Sequence, residues 1–173
     1  MTKASDASAA ELRCACGEVR LAVTGAPIVV ASCYCDDCQT GAAKLEALPG
    51  ARRVKDDDGG TWAALYRKDR YRVVQGGERL ERTKLRSGSP TNRLVATCCN
   101  SAMMIDFDRG PHWVAMYRPG FPIPPPALEM RLQTRFAPDP AAIPADGVPG
   151  YRMFPPSFIG KLLGARLAMM FGR

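Results

Sequence analysis

The sequence is poor in histidine and lacks any long apolar run. Its 173 residues include a single histidine, His112, which lies in a strand-like segment, so the sequence identifies no general base. No segment approaches the roughly 20 apolar residues of a membrane-spanning helix. Residues 2–11 also lack the apolar region of a secretory signal. We therefore expect a cytoplasmic protein without a membrane span.

Cysteine is the abundant reactive residue, with seven copies. An odd number cannot pair completely in disulfides, and the C-x-C and C-x-x-C spacings are typical of thiolate metal ligands in a reducing compartment. Seven divides most simply into a group of four and a group of three. We predict two Zn²⁺ sites, one formed by Cys14, Cys16, Cys98 and Cys99, and the other by Cys33, Cys35 and Cys38.

The two predicted sites differ in what they can do. Four thiolates fill the coordination sphere of zinc, so the first site is expected to be structural. Three thiolates leave the fourth position for water, a protein ligand or the thiolate of a substrate. The alternative is that a carboxylate or His112 closes the second site. Asp36 and Asp37 disfavour a third interpretation, a redox pair of Cys35 and Cys38, because carboxylates disfavour thiolates.

Alternating apolar and polar residues predict strands along most of the chain up to residue 117. Segments 62–66 and 71–75 are predicted to form a β-meander. The strands around Cys98 and Cys99 predict a hairpin with the thiols at its tip. A short helix is expected over residues 42–48.

The last third of the chain is rich in proline, which favours an ordered wrap or a semi-rigid linker over a second core. A helix is predicted over 157–171, with Ser157 as its N-cap. We expect the apolar face of this helix to pack either on its own domain or on a second subunit. Packing on a second subunit would give a homo-oligomer. Binding to a membrane surface is the alternative.

Basic side chains concentrate in residues 61–93, where nine of them stand against three acidic ones. This balance indicates an anionic partner or simply a solvated sheet face. Tyr66 and Tyr71 flank the arginines, which offers weak support for stacking on nucleic-acid bases.

Four sequence stretches together resemble the glutathione-dependent formaldehyde-activating enzyme family, which includes centromere protein V. They are CACGEV at 14–19, CYCDDCQTGA at 33–42, RVVQG at 72–76 and CNS at 99–101. The resemblance implies a mainly β fold of the β-tent (Mss4-like) type with short helices. It places a zinc-binding domain over 12–118, between a mobile tail over 1–11 and a proline-rich extension over 119–173.

The resemblance also implies a function. Cys14 and Cys16 would bind a structural zinc with the later cysteines, while Cys33, Cys35 and Cys38 would hold an open zinc that binds glutathione or another small thiol. The implied activity is that of a carbon–sulfur lyase acting on a thiol–aldehyde adduct, with arginines of the 61–93 region holding the carboxylates. The alternative is a non-catalytic, zinc-stabilised module that binds nucleic acid or protein through its basic face.

One departure from the family pattern affects the first site. Where the family has C-x-x-C-G-S, this chain has Ala96 at the first cysteine, and Cys98 is the replacement we predict. Adjacent residues of a regular strand face opposite ways, so Cys98 and Cys99 can share a metal only if the backbone turns there. Asn100 tolerates the left-handed conformation that such a turn needs.

Overall fold

The structure, a computed structural model, describes residues 9–122 and 124–172, and this part of the chain contains eleven strands and two α-helices. The strands are β1 (Ala9–Arg13), β2 (Arg20–Thr24), β3 (Val29–Cys33), β4 (Thr61–Arg67), β5 (Tyr71–Gln75), β6 (Leu80–Thr83), β7 (Thr91–Ala96), β8 (Ser101–Phe107), β9 (Trp113–Tyr117), β10 (Met130–Leu132) and β11 (Gly150–Tyr151). The helices are α1 (Asp36–Glu46) and α2 (Pro156–Met170). The fold is mainly β with short helices, as the sequence predicts.

The strands form two sheets. The small sheet has the order β1-β2-β5, and the large sheet has the order β11-β10-β3-β4-β9-β8-β7-β6. Neighbouring strands are antiparallel except around β10, which runs parallel to β3 and to β11. The mobile tail predicted over 1–11 includes residues 1–8, which lie outside the described residues, and β1 begins at Ala9.

The large sheet is covered on both faces, and the alternation of side chains along each strand decides what each face meets. One face packs against the small sheet in a core that includes Val30, Ala64, Met116, Leu12 and Leu21. The opposite face carries the helices. Phe158 of α2 packs on one part of it, and Leu45 of α1 packs on another.

The predicted β-meander of 62–66 and 71–75 is wrong. Strand β4 pairs with β3 and β9 in the large sheet, whereas β5 pairs with β2 in the small one. A 3₁₀ turn, Lys68–Arg70, carries the chain from one sheet to the other. Alternation identifies a strand but not its partner, which explains why the sequence supported the nearer pairing.

Helix α1 begins earlier than the predicted segment 42–48. It starts at Asp36, with Cys35 as the N-cap residue. Asp36 and Asp37 occupy the first turn, where carboxylates interact favourably with the positive end of the helix dipole. The two acidic residues that argued against redox chemistry therefore also mark the start of the helix. As a result, Cys38 lies on the first turn of α1.

The segment after residue 118 adds to the large sheet as well as wrapping around it. Strand β10 pairs with β3, and β11 pairs with β10. Neither strand was predicted, because three and two residues are too few for an alternating pattern. The predicted N-cap Ser157 is also wrong. Pro155 is the N-cap of α2, and Pro156 suits the first position because its φ is already helical.

Helix α2 lies with one side against the sheet. Its inward residues include Phe158, Leu162, Ala165 and Met169, which recur at helical spacing. Its outward side exposes Ile159, Leu163, Leu167 and Met170. Within 9–122 and 124–172, no helix combines the length and the apolar character that crossing a membrane requires. Packing of α2 on a second subunit stays a prediction.

Candidate metal centres

Four cysteine sulfurs meet at one point, although they come from distant parts of the sequence. Cys14 lies 3.5 Å from Cys16 and 3.8 Å from Cys98, and Cys16 lies 3.3 Å from Cys98. The Cys98 and Cys99 sulfurs are 3.9 Å apart. Tetrahedral zinc with Zn–S bonds of about 2.3 Å requires sulfur–sulfur distances of about 3.8 Å. The four-cysteine cluster, Cys14, Cys16, Cys98 and Cys99, therefore has the dimensions of a metal site.

Two turns deliver these sulfurs. Cys14 and Cys16 lie between β1 and β2, where the amide of Val19 donates to the Cys14 sulfur at 3.2 Å. Cys98 and Cys99 lie in the turn between β7 and β8. The amide of Ala15 donates to Ser101 Oγ at 2.9 Å, which ties the first turn to the second.

The β7–β8 turn explains how adjacent cysteines reach one point. The amide of Cys99 donates to the carbonyl of Ala96 at 3.2 Å, and Asn100 has a φ of 54°. Both features take the backbone out of the strand, which removes the opposite orientation of Cys98 and Cys99. The predicted hairpin with thiols at its tip is confirmed, as is the left-handed conformation of Asn100. Cys98 supplies a sulfur that Ala96 does not.

The three-cysteine cluster, Cys33, Cys35 and Cys38, lies where β3 passes into α1. Cys33 ends the strand, Cys35 caps the helix and Cys38 lies on its first turn. Their sulfurs lie within 4.8 Å of one another. Tyr34 anchors this junction because its buried ring places the hydroxyl 2.6 Å from Asp58 Oδ2, to which it donates.

The thiols of this cluster alter one another's ionisation. Hydrogen bonding with Cys33 and Cys38, assisted by amides at the start of α1, lowers the pKa of Cys35. The contact with Cys35, together with burial, raises the pKa of Cys33, and the contacts with Cys33 and Cys35, together with burial, raise the pKa of Cys38. A metal that binds all three sulfurs as thiolates must displace protons from these two thiols. Metal binding at this cluster is accordingly expected to weaken as the pH falls.

Among the described residues, no histidine or carboxylate joins the three cysteines, since none lies within 4.8 Å of all three sulfurs. His112, the alternative suggested by the sequence, instead interacts with the backbone of Leu162 in α2, and burial lowers its pKa. His112 is therefore not placed to close this cluster.

Arg93 is the cation beside the three-cysteine cluster. It is 4% exposed, and its guanidinium donates to the carbonyl of Asp37 at 2.7 Å, one residue before Cys38. Its Nε is buried without a hydrogen-bond partner. The sequence placed Arg93 only among many basic residues. Its place directly before the apolar residues 94–96 of strand β7 was the signal that could have distinguished it.

Gly41 leaves room for this arginine. A Cβ atom at Gly41 would lie 2.2 Å from Arg93 Nε, closer than real Cβ contacts. We expect Gly41→Ala to displace the guanidinium and to lower the free energy of unfolding by about 1–3 kcal/mol, as overpacking does. Gly160→Ala on α2 is the matched control, since its Cβ would contact nothing within 4 Å. The free energy of unfolding of that control should rise by up to about 1 kcal/mol, because alanine has a higher helix propensity than glycine. Urea unfolding of both variants measures the two changes in unfolding free energy, which should have opposite signs. Equal changes would contradict the role of Gly41 in leaving room for Arg93.

Many of the other basic residues of 61–93 are occupied in ion pairs. Arg82 and Lys84 pair with Asp106 and Asp108, and Arg86 pairs with Asp37. Tyr66 is buried and is not presented for stacking on a base, whereas Tyr71 is only partly buried against the core. Of the two tyrosines, only Tyr71 could therefore contact a base, and nucleic-acid binding stays a prediction.

A cavity of about 260 Å³ begins at the three-cysteine cluster and runs along the large sheet beneath α2. Cys33, Cys35 and Cys38 line one end of it, together with Arg93. Phe158 of α2 lines the other part. We call it the sheet-face cavity. It gives the three sulfurs a neighbouring space in which a small molecule can lie.

A mainly β fold with two cysteine clusters, each able to hold a metal ion, defines a class of metal-binding β proteins. Residues 9–121 match the family model described as glutathione-dependent formaldehyde-activating enzyme. This match spans more than half of the chain, so the chain belongs to that family, as its cysteine motifs indicated.

A search of curated proteins finds no match. Among solved structures, a crystal structure of a Rhodobacter sphaeroides protein aligns with a TM-score of 0.49 and 16% sequence identity. The alignment covers 82% of this chain and 99% of that one.

Proposed function

We propose that the protein binds two zinc ions and acts as a carbon–sulfur lyase on the adduct of a small thiol, such as glutathione, and an aldehyde. The observation that supports this proposal is the three-cysteine cluster at the end of a cavity, with no fourth protein ligand among the described residues. The four-cysteine cluster would be structural, because four thiolates leave zinc no free position. Free thiols at all seven cysteines suit a reducing, cytoplasmic environment.

The cluster and its surroundings fit this chemistry. Three thiolates bind Zn²⁺ well and leave one position free, and zinc there would lower the pKa of a substrate thiol and act as a Lewis acid. Arg93 would offset the net negative charge of three thiolates around a divalent ion. The residues identify no general base, and solvent would exchange the proton. In the lyase direction the carbon–sulfur bond breaks, the carbonyl re-forms and the thiol regains a proton.

Metal content with coordination tests the proposal. We expect two zinc ions per chain, and addition of glutathione should raise the sulfur coordination of one of them from three to four, as seen by X-ray absorption. Cys38→Ser should lose that zinc and keep the other. One zinc per chain in the unaltered protein, with Cys33, Cys35 and Cys38 free to react with a thiol reagent, would contradict the proposal.

A further inference from the structure

The side chains of the large sheet explain why the sheet-face cavity exists. Register places Ala31 opposite Ala63 across β3 and β4, and Leu65 opposite Ala115 across β4 and β9. Directly opposed residues share a face, so three alanines lie together on the side of the sheet that faces α2. Small side chains on adjacent strands leave space above the sheet. The alanines form the floor of the cavity.

Apart from the cysteines, most of the side chains that line the sheet-face cavity are apolar. Besides the alanines, its lining includes Leu65, Ile105, Phe107 and Trp113. The polar side chains that reach the cavity are Asp37, Thr61, Thr91 and Arg93. Asp37 is already ion-paired with Arg86. Burial of a charged or polar group without a partner is unfavourable, so this space selects against hydrophilic ligand groups.

The extension supplies one wall of the cavity. Leu132, Phe154 and Phe158 all line it, and all three lie beyond residue 121, where the family match ends. The rings of Phe154 and Phe158 stack with their centroids 5.3 Å apart. Lys161 of α2 also forms a solvent-exposed ion pair with Glu129. The wall is thus a feature that this chain adds to the matched region.

The cavity fits glutathione poorly. Glutathione carries two carboxylates and an ammonium group, and the arginines expected to hold such carboxylates are largely committed elsewhere. Arg82 and Lys84 bind Asp106 and Asp108, which leaves Arg93 as the basic side chain that lines the cavity. One buried cation cannot pair with two carboxylates, and it would repel the ammonium group.

We infer that the substrate of the three-cysteine site is an adduct whose carbon part is apolar, such as an aromatic or medium-length alkyl group, and that this part occupies the sheet-face cavity. This inference rests on the proposed function and narrows its substrate class. An engineered apolar cavity of about 150 Å³ holds benzene. The sheet-face cavity, at about 260 Å³, has room for a ring with a short side chain.

The reaction balances without a further reactant. In the forward direction the thiol sulfur bonds to the carbonyl carbon, the carbonyl π bond breaks, and the oxygen receives the proton that the thiol released. No electrons are gained or lost overall. The reverse direction is the lyase step of the proposed function, with the apolar group carried by either the thiol or the aldehyde.

Three small molecules test the inference by titration calorimetry and X-ray absorption on the zinc-loaded protein: toluene, phenylmethanethiol and glutathione. Toluene has no sulfur and reports on the cavity alone. We expect it to bind, and we expect phenylmethanethiol to bind at least about 100-fold more tightly than glutathione, since burial of its ring adds to the sulfur contact. Phenylmethanethiol should also raise the sulfur coordination of one zinc.

Cavity-filling variants provide the second arm. Ala115→Leu, and separately Ala63→Leu, should lower the affinity for toluene and for phenylmethanethiol at least tenfold. The zinc content and the affinity for glutathione should stay unchanged. Leu167→Ala, on the exposed side of α2, is the matched control and should change none of these. Toluene binding to the unaltered protein needs no substitution, so the test survives a variant that fails to fold.

The outcomes separate the two proposals. If toluene does not bind and the two thiols bind equally while both change the zinc coordination, the inference is overturned and the proposed function stands. If toluene binds but neither thiol changes the zinc coordination, the proposed function is overturned. The inferred substrate class is then overturned as well, because it rests on that function.

Discussion

Cys98→Ser is expected to lower the zinc content from two ions to one per chain and to leave the protein unfolded or close to it. The four-cysteine cluster joins turns whose cysteines lie 84 residues apart in the sequence. Closing a loop of that length costs on the order of 4 kcal/mol in chain entropy. A structural zinc contributes about 10–16 kcal/mol on binding, which exceeds that cost. Since a domain is stable by only about 5–15 kcal/mol, weakening this site removes much of the stability.

Zinc analysis and thermal unfolding followed by circular dichroism measure both effects. Cys38→Ser is the control, because it also removes one cysteine and one predicted zinc. Its cluster spans only the end of β3 and the start of α1, which the fold already holds through the Tyr34–Asp58 hydrogen bond. We expect Cys38→Ser to remain folded. If Cys98→Ser kept two zinc ions and its unfolding temperature, Cys98 would not be a ligand and the site would depend on Cys99.

The sequence was sufficient to group the cysteines. The C-x-C and C-x-x-C spacings are short-range features, and the adjacent Cys98 and Cys99 needed only a turn that Asn100 makes available. The structure brings both predicted groups together. Ala96 lies buried on β7 before the turn begins, and Cys98 within the turn supplies the fourth sulfur of the cluster.

The sheet-face cavity could not be predicted because it depends on long-range register. Ala31, Ala63 and Ala115 are unremarkable in the sequence, and they become a floor only when β3, β4 and β9 are neighbours. The same limit produced the wrong β-meander, since alternation does not identify a strand's partner. The role of Arg93 had a local signal, a charge directly before the apolar residues 94–96 of β7, but its contact with α1 required the fold.

Arg131→Met is expected to lower the free energy of unfolding by about 3 kcal/mol, in the range found when one member of a buried ion pair is removed. Arg131 lies on β10 and is 3% exposed. Its two terminal nitrogens each donate to one carboxylate oxygen of Asp146 at 2.8 Å. Its Nε lies 3.7 Å from the buried Asp58, which also accepts the hydrogen bond from Tyr34. The arginine therefore links the extension to the junction that carries the three-cysteine cluster.

Methionine keeps much of the volume of Arg131 but leaves the buried Asp58 without its cation. Urea unfolding measures the loss, and the surface variant Lys161→Met is the matched control. Lys161 pairs with Glu129 in solvent, so its removal should cost about 0–1 kcal/mol. The double variant Asp58→Asn with Arg131→Met should recover part of the loss, because it removes the unpaired buried charge. A loss in Arg131→Met no greater than in Lys161→Met would show that the extension is held by apolar packing and not by this ion pair.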